Sequence, residues 1–319
     1  MLSRNEIRGL IKSKGSEQGK LFESARQVRN ERFGKKVYVR AVVEPSSYCR
    51  QDCHYCPMRL SNRELSRYRL SPDEILSSAE QVSSFDIDTV LLESGEDRQI
   101  VESIAAATSR LKSMSYKVIL CLGDLKRDDY RKLRESGADA YILKFETSDE
   151  KLFEKMRPGT TLRNRLKNLE YLRGLGFLIS TGNIVGFPEQ TVESLIDDIT
   201  LANKINPDMV SASPFIPAAG TPLEHSPFGN IDPTLNTLAI YRITLPHTPI
   251  PAVSALEYYK ERGQLAGLNA GCNVVTVNFT PEFANFPIYA AERLRIKLDH
   301  VNNAIAEAGL ELSIWRKYK

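Results

Sequence analysis

The run Tyr48-Cys49-Arg50-Gln51-Asp52-Cys53-His54-Tyr55-Cys56-Pro57 places three cysteines in the spacing C-x3-C-x2-C. Three thiolates so spaced can hold three corners of a four-iron, four-sulfur cluster and leave the fourth iron open to another ligand. Zinc is the competing reading, with His54 as an added ligand. Structural zinc usually takes four ligands, often as two separated cysteine pairs. No second pair exists here, because Cys121 and Cys272 are solitary. The spacing therefore favours the cluster.

Directly before this run, residues 36–43 read as a strand. Further short segments rich in Val, Ile and Leu lie at 89–92, 117–122, 140–145, 178–185, 209–213, 249–253 and 273–277. That composition fits strands buried on both faces. Helical signals fall between them. Ser71-Pro72-Asp73-Glu74 is a capping box with proline at the first helical position. Residues 191–203 and 233–244 have helical apolar periodicity. Before the first strand, Ser3 and Glu6 form another capping box, and 18–33 is amphipathic.

The alternation predicts an α/β fold: a complete or near-complete (β/α)8 barrel of the TIM type, with N-terminal helices and a C-terminal closing segment. The expected divisions are a helical extension at 1–35, the barrel at 36–278, and a loop and helix (near 290–308) packed on it at 279–319. Sites in such barrels form at the C-terminal ends of the strands. The cysteine run follows the first strand and so falls at that end.

A chain of 319 residues, 42% hydrophobic and 26% charged, suits a single barrel of this kind. Its net charge of +3 comes without a concentrated basic tract, so no nucleic-acid partner is expected. No apolar run approaches the roughly 18 residues that would span a membrane. The opening Met1-Leu2-Ser3-Arg4-Asn5-Glu6 lacks the apolar core of a signal peptide. An odd count of five cysteines argues against a disulfide scaffold. The chain reads as cytoplasmic, in reducing surroundings and without a membrane partner.

Several later segments add chemistry at strand ends. In Leu91-Leu92-Glu93-Ser94-Gly95-Glu96-Asp97, Gly95 permits an unusual backbone angle and close ligand approach, and Glu96 can face an ammonium. A plain turn with a solvated acid is the alternative. In Tyr141-Ile142-Leu143-Lys144-Phe145-Glu146-Thr147, Lys144 and Glu146 share a strand face. They offer a cation and an acceptor to a ligand, or pair with each other. Arg165 lies in Thr161-Leu162-Arg163-Asn164-Arg165-Leu166, where an arginine fork suits a carboxylate. Gly182-Asn183-Ile184-Val185-Gly186-Phe187-Pro188-Glu189 combines close backbone approach with apolar surface from Ile184 and Val185 for a flat base.

In this order, over nearly the whole chain, the segments resemble the biotin-synthase-like branch of the radical S-adenosylmethionine (SAM) superfamily. The resemblance is strongest to the maturase of the iron-only hydrogenase active site and to methylornithine synthase. Supporting segments are Arg67-Tyr68-Arg69-Leu70, Ser94-Gly95-Glu96-Asp97, Glu146-Thr147, Pro214-Phe215-Ile216-Pro217, Gly220-Thr221-Pro222-Leu223 and Asn278-Phe279-Thr280-Pro281. The resemblance implies a [4Fe-4S] cluster on Cys49, Cys53 and Cys56, with SAM chelating the open iron. One electron from the cluster then cleaves SAM to methionine and a 5′-deoxyadenosyl radical. It also implies cofactor contacts from Tyr55, Gly95, Glu96, Lys144, Glu146, Arg165, Ile184 and Val185. Among these, Gly95 and Glu96 would receive the methionine ammonium, Arg165 the carboxylate, Glu146 the ribose, and Ile184 and Val185 the adenine. The maturase has arginine where this chain has Lys144, so the charge survives but the bidentate geometry does not.

The departures also inform. Biotin synthase carries further cysteines and an arginine for a second cluster in its barrel; the corresponding positions here are Ile119, Ser180 and Ala252. No second cluster, and no biotin formation by that route, is expected. A C-terminal cysteine cluster often carried by the maturase is absent. Cys121 and Cys272 read more readily as small buried hydrophobes than as ligands; an inward-pointing Cys121, two residues from Ile119, is the alternative, but one thiol cannot replace that set.

The resemblance implies a radical SAM enzyme that takes a small polar or anionic substrate and an electron donor such as ferredoxin or flavodoxin. Cofactor or metallocluster assembly is the leading activity. Amino-acid carbon-skeleton rearrangement, sulfur insertion and a non-enzymatic cluster- or SAM-binding assembly role are the alternatives. Arg40, His247, Ser254, Glu257 and Tyr258 lie near strand ends as substrate candidates, with helix caps and core contacts as competing roles. No catalytic residue is assigned.

Overall fold

Ten of the eleven residues in Lys36–Ser46 (β1) are buried, as a strand covered on both faces requires. In the computed structural model, which describes residues 2–284, 286–287 and 294–315, β1 is the hub of the sheet. The other strands are Thr89–Ser94 (β2), Lys117–Cys121 (β3), Ala140–Ile142 (β4), Leu178–Val185 (β5), Met209–Pro214 (β6), Val274–Asn278 (β7) and Glu311–Ser313 (β8). The sheet runs β6-β5-β4-β3-β2-β1-β7, with every ladder parallel. Helices connect successive strands, and the sheet curls into a partial TIM-type barrel.

The expected strand at 249–253 is not regular. Val210 donates to the Pro249 carbonyl at 3.2 Å, and Pro251 forms an isolated bridge with Val274. Pro249 and Pro251 have no amide hydrogen, so the segment cannot donate at those two ladder positions. A complete eight-stranded ladder therefore does not form.

The 279–319 stretch contributes more than a loop and helix. Its helix is Leu298–Glu307, while residues 290–293 of the expected helix lie outside the described residues. After it, β8 pairs with the start of β1. This brings Trp315 within 5.0 Å of the Tyr38 ring. Together with Phe33, Met209 and Val274 they form an apolar cluster at the N-terminal strand ends. That end of the barrel is plugged, which leaves the other end to open.

The capping boxes at Ser3–Glu6 and Ser71–Glu74 both form. The helices Arg4–Ile11 and Gly15–Phe33 pack against Val192–Ile205 and Asp232–Thr244 outside the sheet. Among the described residues, no helix is long and apolar enough to cross a membrane.

Candidate active site

Inward-facing residues alternate along the strands. Val42, Leu91, Ile119 and Ile142 meet as an apolar layer inside the barrel, with Cys121 and Ala140 packed against it. Next to this layer is a cavity of about 280 Å3 opening at the C-terminal strand ends. Its lining includes Cys49, Cys53, Tyr55 and Cys56 from the loop after β1, with Gly95 and Glu96 after β2. Lys144, Glu146, Arg165 and Ile184 also line it.

The cysteine loop is pinned from several sides. Arg67 donates to the carbonyls of Ser47, Met58, Arg59 and Asn62 at 2.7–3.2 Å. Arg59 grips Asp52 bidentately at 2.8 and 2.6 Å. The His54 amide donates to the Met156 carbonyl at 2.9 Å. Gly95 has no left-handed backbone angle, contrary to one reason expected for it. Close approach is what it serves: a Cβ there would lie 2.3 Å from the Tyr48 carbonyl oxygen and 2.8 Å from Cys49 Cβ. Gly123 adopts φ +68°, and a Cβ on it would stand 2.2 Å from Glu96 Cγ. These two glycines let the loop and the Glu96 side chain settle over the strand ends.

Burial raises all three thiol pKa values, that of Cys49 to about 11 with a further push from Glu96. Such thiols lose their protons readily only to a strong cationic partner, which iron supplies when it binds thiolate. Among the described residues, no group of three or more His, Cys, Asp or Glu side chains forms a single-ion site.

Beneath the loop lies a charged cluster. Arg157 Nη2 donates to Glu96 Oε1 at 2.9 Å, and Arg165 Nη2 lies 3.0 Å from Asp124 Oδ2. Arg50 reaches Glu96 Oε2 at 3.3 Å from the rim. Three guanidiniums thus face two carboxylates. Yet Glu96 Oε2, Arg157 Nε, and both Nε and Nη2 of Arg165 are buried without a hydrogen-bond partner. Buried polar atoms left unpaired are costly in a finished core. Arg157 and Asp124 were missed by the sequence reading; Arg157 also donates to Cys53 Sγ and Tyr55 Oη, each at 3.3 Å.

Across the mouth, Lys144 Nζ is 3.4 Å from Glu146 Oε2 and donates to Ser213 Oγ at 3.3 Å. The pair does not share a strand face as expected, because β4 ends at Ile142, but the two side chains interact and both line the cavity. Glu146 Oε2 makes no hydrogen bond. Glu146 sits at φ +63°, an uncommon conformation for a side-chain-bearing residue. Asp198 holds the adjoining turn, accepting from the Ser148 amide at 2.5 Å, Ser148 Oγ at 2.6 Å and Thr147 Oγ1 at 3.3 Å. Its other oxygen takes Asn183 at 3.0 Å and Gln190 at 3.3 Å. Burial raises the Asp198 pKa to about 6 despite these bonds.

Deeper in the barrel, Arg40, Glu93, Cys121 and Ser180 line the cavity. Arg40 donates to Thr276 Oγ1 at 3.0 Å. Burial raises the Glu93 pKa, an effect Arg40 opposes. Cys121 is therefore a cavity residue rather than a core hydrophobe, whereas Cys272 is fully buried in the core. Ile119 is part of the apolar layer, and Ala252 is buried. Ser254 lines the cavity, but His247, Glu257 and Tyr258 do not. Glu257 instead accepts from the amides of Arg262 and Gln264.

One cofactor expectation needs correction. Ile184 faces the cavity, but Val185 points into the outer core, because consecutive strand residues face opposite sides.

The sequence profile of the radical SAM superfamily matches residues 43–202. The [FeFe] hydrogenase maturase subunit HydE of Thermotoga maritima is 38% identical over 262 residues, covering 82% of this chain and 75% of that protein. The 3-methylornithine synthase of Methanosarcina acetivorans is 31% identical over 280 residues, covering 86% of this chain and 79% of the synthase. The crystal structure of methylornithine synthase (PylB) superposes with a TM-score of 0.89 at 26% identity, over 98% of this chain and 94% of that one.

The chain belongs to the radical SAM superfamily, in its biotin-synthase-like branch, and is an enzyme. Members use a [4Fe-4S] cluster and SAM, and they need an electron donor and a substrate. The mouth fits such cofactors: its buried atoms without hydrogen bonds have both signs, as a ligand carrying an ammonium and a carboxylate would require.

Proposed function

We propose that this enzyme acts in cofactor or metallocluster assembly, on a small polar or anionic substrate held inside the barrel. Cys49, Cys53 and Cys56 would hold the cluster. Arg165 would take the SAM carboxylate, Glu96 Oε2 the ammonium, Glu146 the ribose and Ile184 the base. Tyr55 would support the loop through its bond from Arg157 and its ring, 5.2 Å from that of Phe187. Once bound and reduced by a donor such as ferredoxin or flavodoxin, cluster and SAM supply radical chemistry.

The observation that carries the cofactor assignment is the set of buried donors and acceptors without hydrogen bonds around one opening, where three guanidiniums meet two carboxylates. The substrate reading draws on Lys144 and the deeper Arg40, two cations lining the same cavity. The apolar layer beside them limits water and favours charged contacts. Orientation and water exclusion are what these residues contribute.

The assembly role follows the 38% identity to HydE. A second reading, carbon-skeleton rearrangement of an amino acid, is favoured by the close superposition on methylornithine synthase. Complementation separates them. Restored hydrogenase activity in a strain lacking HydE supports assembly. Failure there, with restored methylornithine synthesis in a strain lacking that synthase, supports rearrangement. Failure in both rejects both assignments.

A further inference from the structure

We propose that Arg157 is a positioning residue that raises the reduction potential of the cluster by donating to the Cys53 sulfur. The inference rests on the proposed cluster ligation by Cys49, Cys53 and Cys56.

Arg157 is placed by the helix that precedes it. Its amide donates to the Phe153 carbonyl at 2.8 Å, closing the end of Glu150–Met156. The same helix end accepts the His54 amide through Met156, so the arginine and the cysteine loop share a backbone anchor. From there the guanidinium divides. Nη1 lies 3.3 Å from Cys53 Sγ and 3.3 Å from Tyr55 Oη, while Nη2 lies 2.9 Å from Glu96 Oε1. Arg157 is 7% exposed and Cys53 is 5% exposed, so water screens this contact little. Cys49, by contrast, accepts from the neutral Glu96 amide at 3.4 Å.

Reduction adds one electron to the cluster from a low-potential one-electron donor. The added negative charge is spread over iron and sulfur. Hydrogen bonds to the sulfurs and nearby charge are established controls on cluster potential. A buried guanidinium donating to a ligating sulfur therefore favours the reduced form. Glu96 offsets part of the charge, but it also fixes the fork on the sulfur. Lysine would retain the charge without the planar fork that meets Cys53, Tyr55 and Glu96 together.

The test is a redox titration, monitored by electron paramagnetic resonance, of anaerobically reconstituted full-length protein without SAM. Wild type, Arg157→Lys and Arg157→Gln are compared at equal cluster content, checked by iron and sulfide analysis. At the potential that half-reduces the wild type, the glutamine variant should have a reduced-to-oxidised ratio lower by about tenfold. The lysine variant should fall between them. Cluster-loaded variants that titrate with the wild type overturn the proposal. Loss of the cluster from both variants also overturns it, because Arg157 would then be required for assembly rather than potential. A wild type that takes up no iron–sulfur cluster rejects instead the ligation on which the inference rests.

Discussion

The two ends of the barrel both bury arginine, and they treat it differently. Near the N-terminal strand ends, Arg242 is fully buried. Its Nε, Nη1 and Nη2 donate to Gly271 O at 3.0 Å, Pro246 O at 3.1 Å and Asn273 Oδ1 at 2.8 Å. The guanidinium also lies 4.8 Å from the centre of the Phe33 ring. At the opposite end, Arg165 is 2% exposed; its Nη2 faces Asp124 Oδ2 at 3.0 Å as an ion pair, but neither Nη2 nor Nε makes a hydrogen bond. One end spends its buried charge on the fold. The other leaves guanidinium nitrogens without hydrogen bonds beside a cavity, as the carboxylate role proposed for Arg165 requires.

The sharpest way to break this comparison is to remove both arginines. Arg242→Met strips a charged donor from three acceptors, two of them buried, and should lower unfolding free energy by roughly 3 kcal/mol or more. Arg165→Met leaves two guanidiniums facing two carboxylates at the mouth. It should cost less than half as much stability and weaken SAM binding about tenfold. Denaturant unfolding and equilibrium binding give the two numbers. Equal stability losses, or unchanged SAM affinity in Arg165→Met, would show that the ends do not differ in this way.

A smaller effect concerns how the fold supports the mouth. The Asp198 carboxyl titrates near 6 when folded, above its ordinary value of 3.8. Between those values the folded chain keeps a proton that the unfolded chain has lost. Stability therefore falls as pH rises from about 4 to 6 and levels off above that window. Asp198→Asn should remove this slope, a difference of roughly 3 kcal/mol across the window. Urea unfolding at several pH values checks it; an unchanged slope in the variant would assign the dependence elsewhere.

The smallest effect separates neighbouring side chains on β5. Ile184→Ala should weaken SAM binding by about threefold to fivefold through lost apolar contact. Val185→Ala should leave binding unchanged and lower stability by about 1–2 kcal/mol. Calorimetric binding and unfolding of the two variants read the difference directly. A reversed pattern would put the base on the other face of the strand.

Much of this end of the molecule is legible in the sequence, for physical reasons. The strands carry strong apolar signals because parallel strands are buried twice, and β5 spans the expected 178–185. Cys49, Cys53 and Cys56 stand out because their spacing is local. The pair Gly95-Glu96 is visible as a turn, but its packing against Tyr48 and Gly123 is not. Val185 is misassigned because a motif names adjacent residues together, whereas a strand turns them apart. The apolar residues at 249–253 signal a strand, but Pro249 and Pro251 lack the amide hydrogens a regular ladder needs. Arg157 and Asp124 escape because each looks like a surface charge in sequence. Arg157 meets Glu96 only across 61 positions of chain. Strand β8 escapes for a similar reason: three residues show no periodicity, and only the partner at 36–38 gives them an edge.

The central claim joins the cysteine loop to the open charges beneath it as one reductive SAM site. It is tested most directly by 5′-deoxyadenosine formation from SAM in anaerobically reconstituted, chemically reduced protein, quantified by chromatography alongside iron content. The wild type should bind about four iron atoms per chain and form the nucleoside. Cys53→Ala should lose both the cluster and the product, and Arg165→Met should keep the cluster while needing about tenfold more SAM. A wild-type protein that carries the cluster, binds SAM and yet forms no 5′-deoxyadenosine would contradict the account.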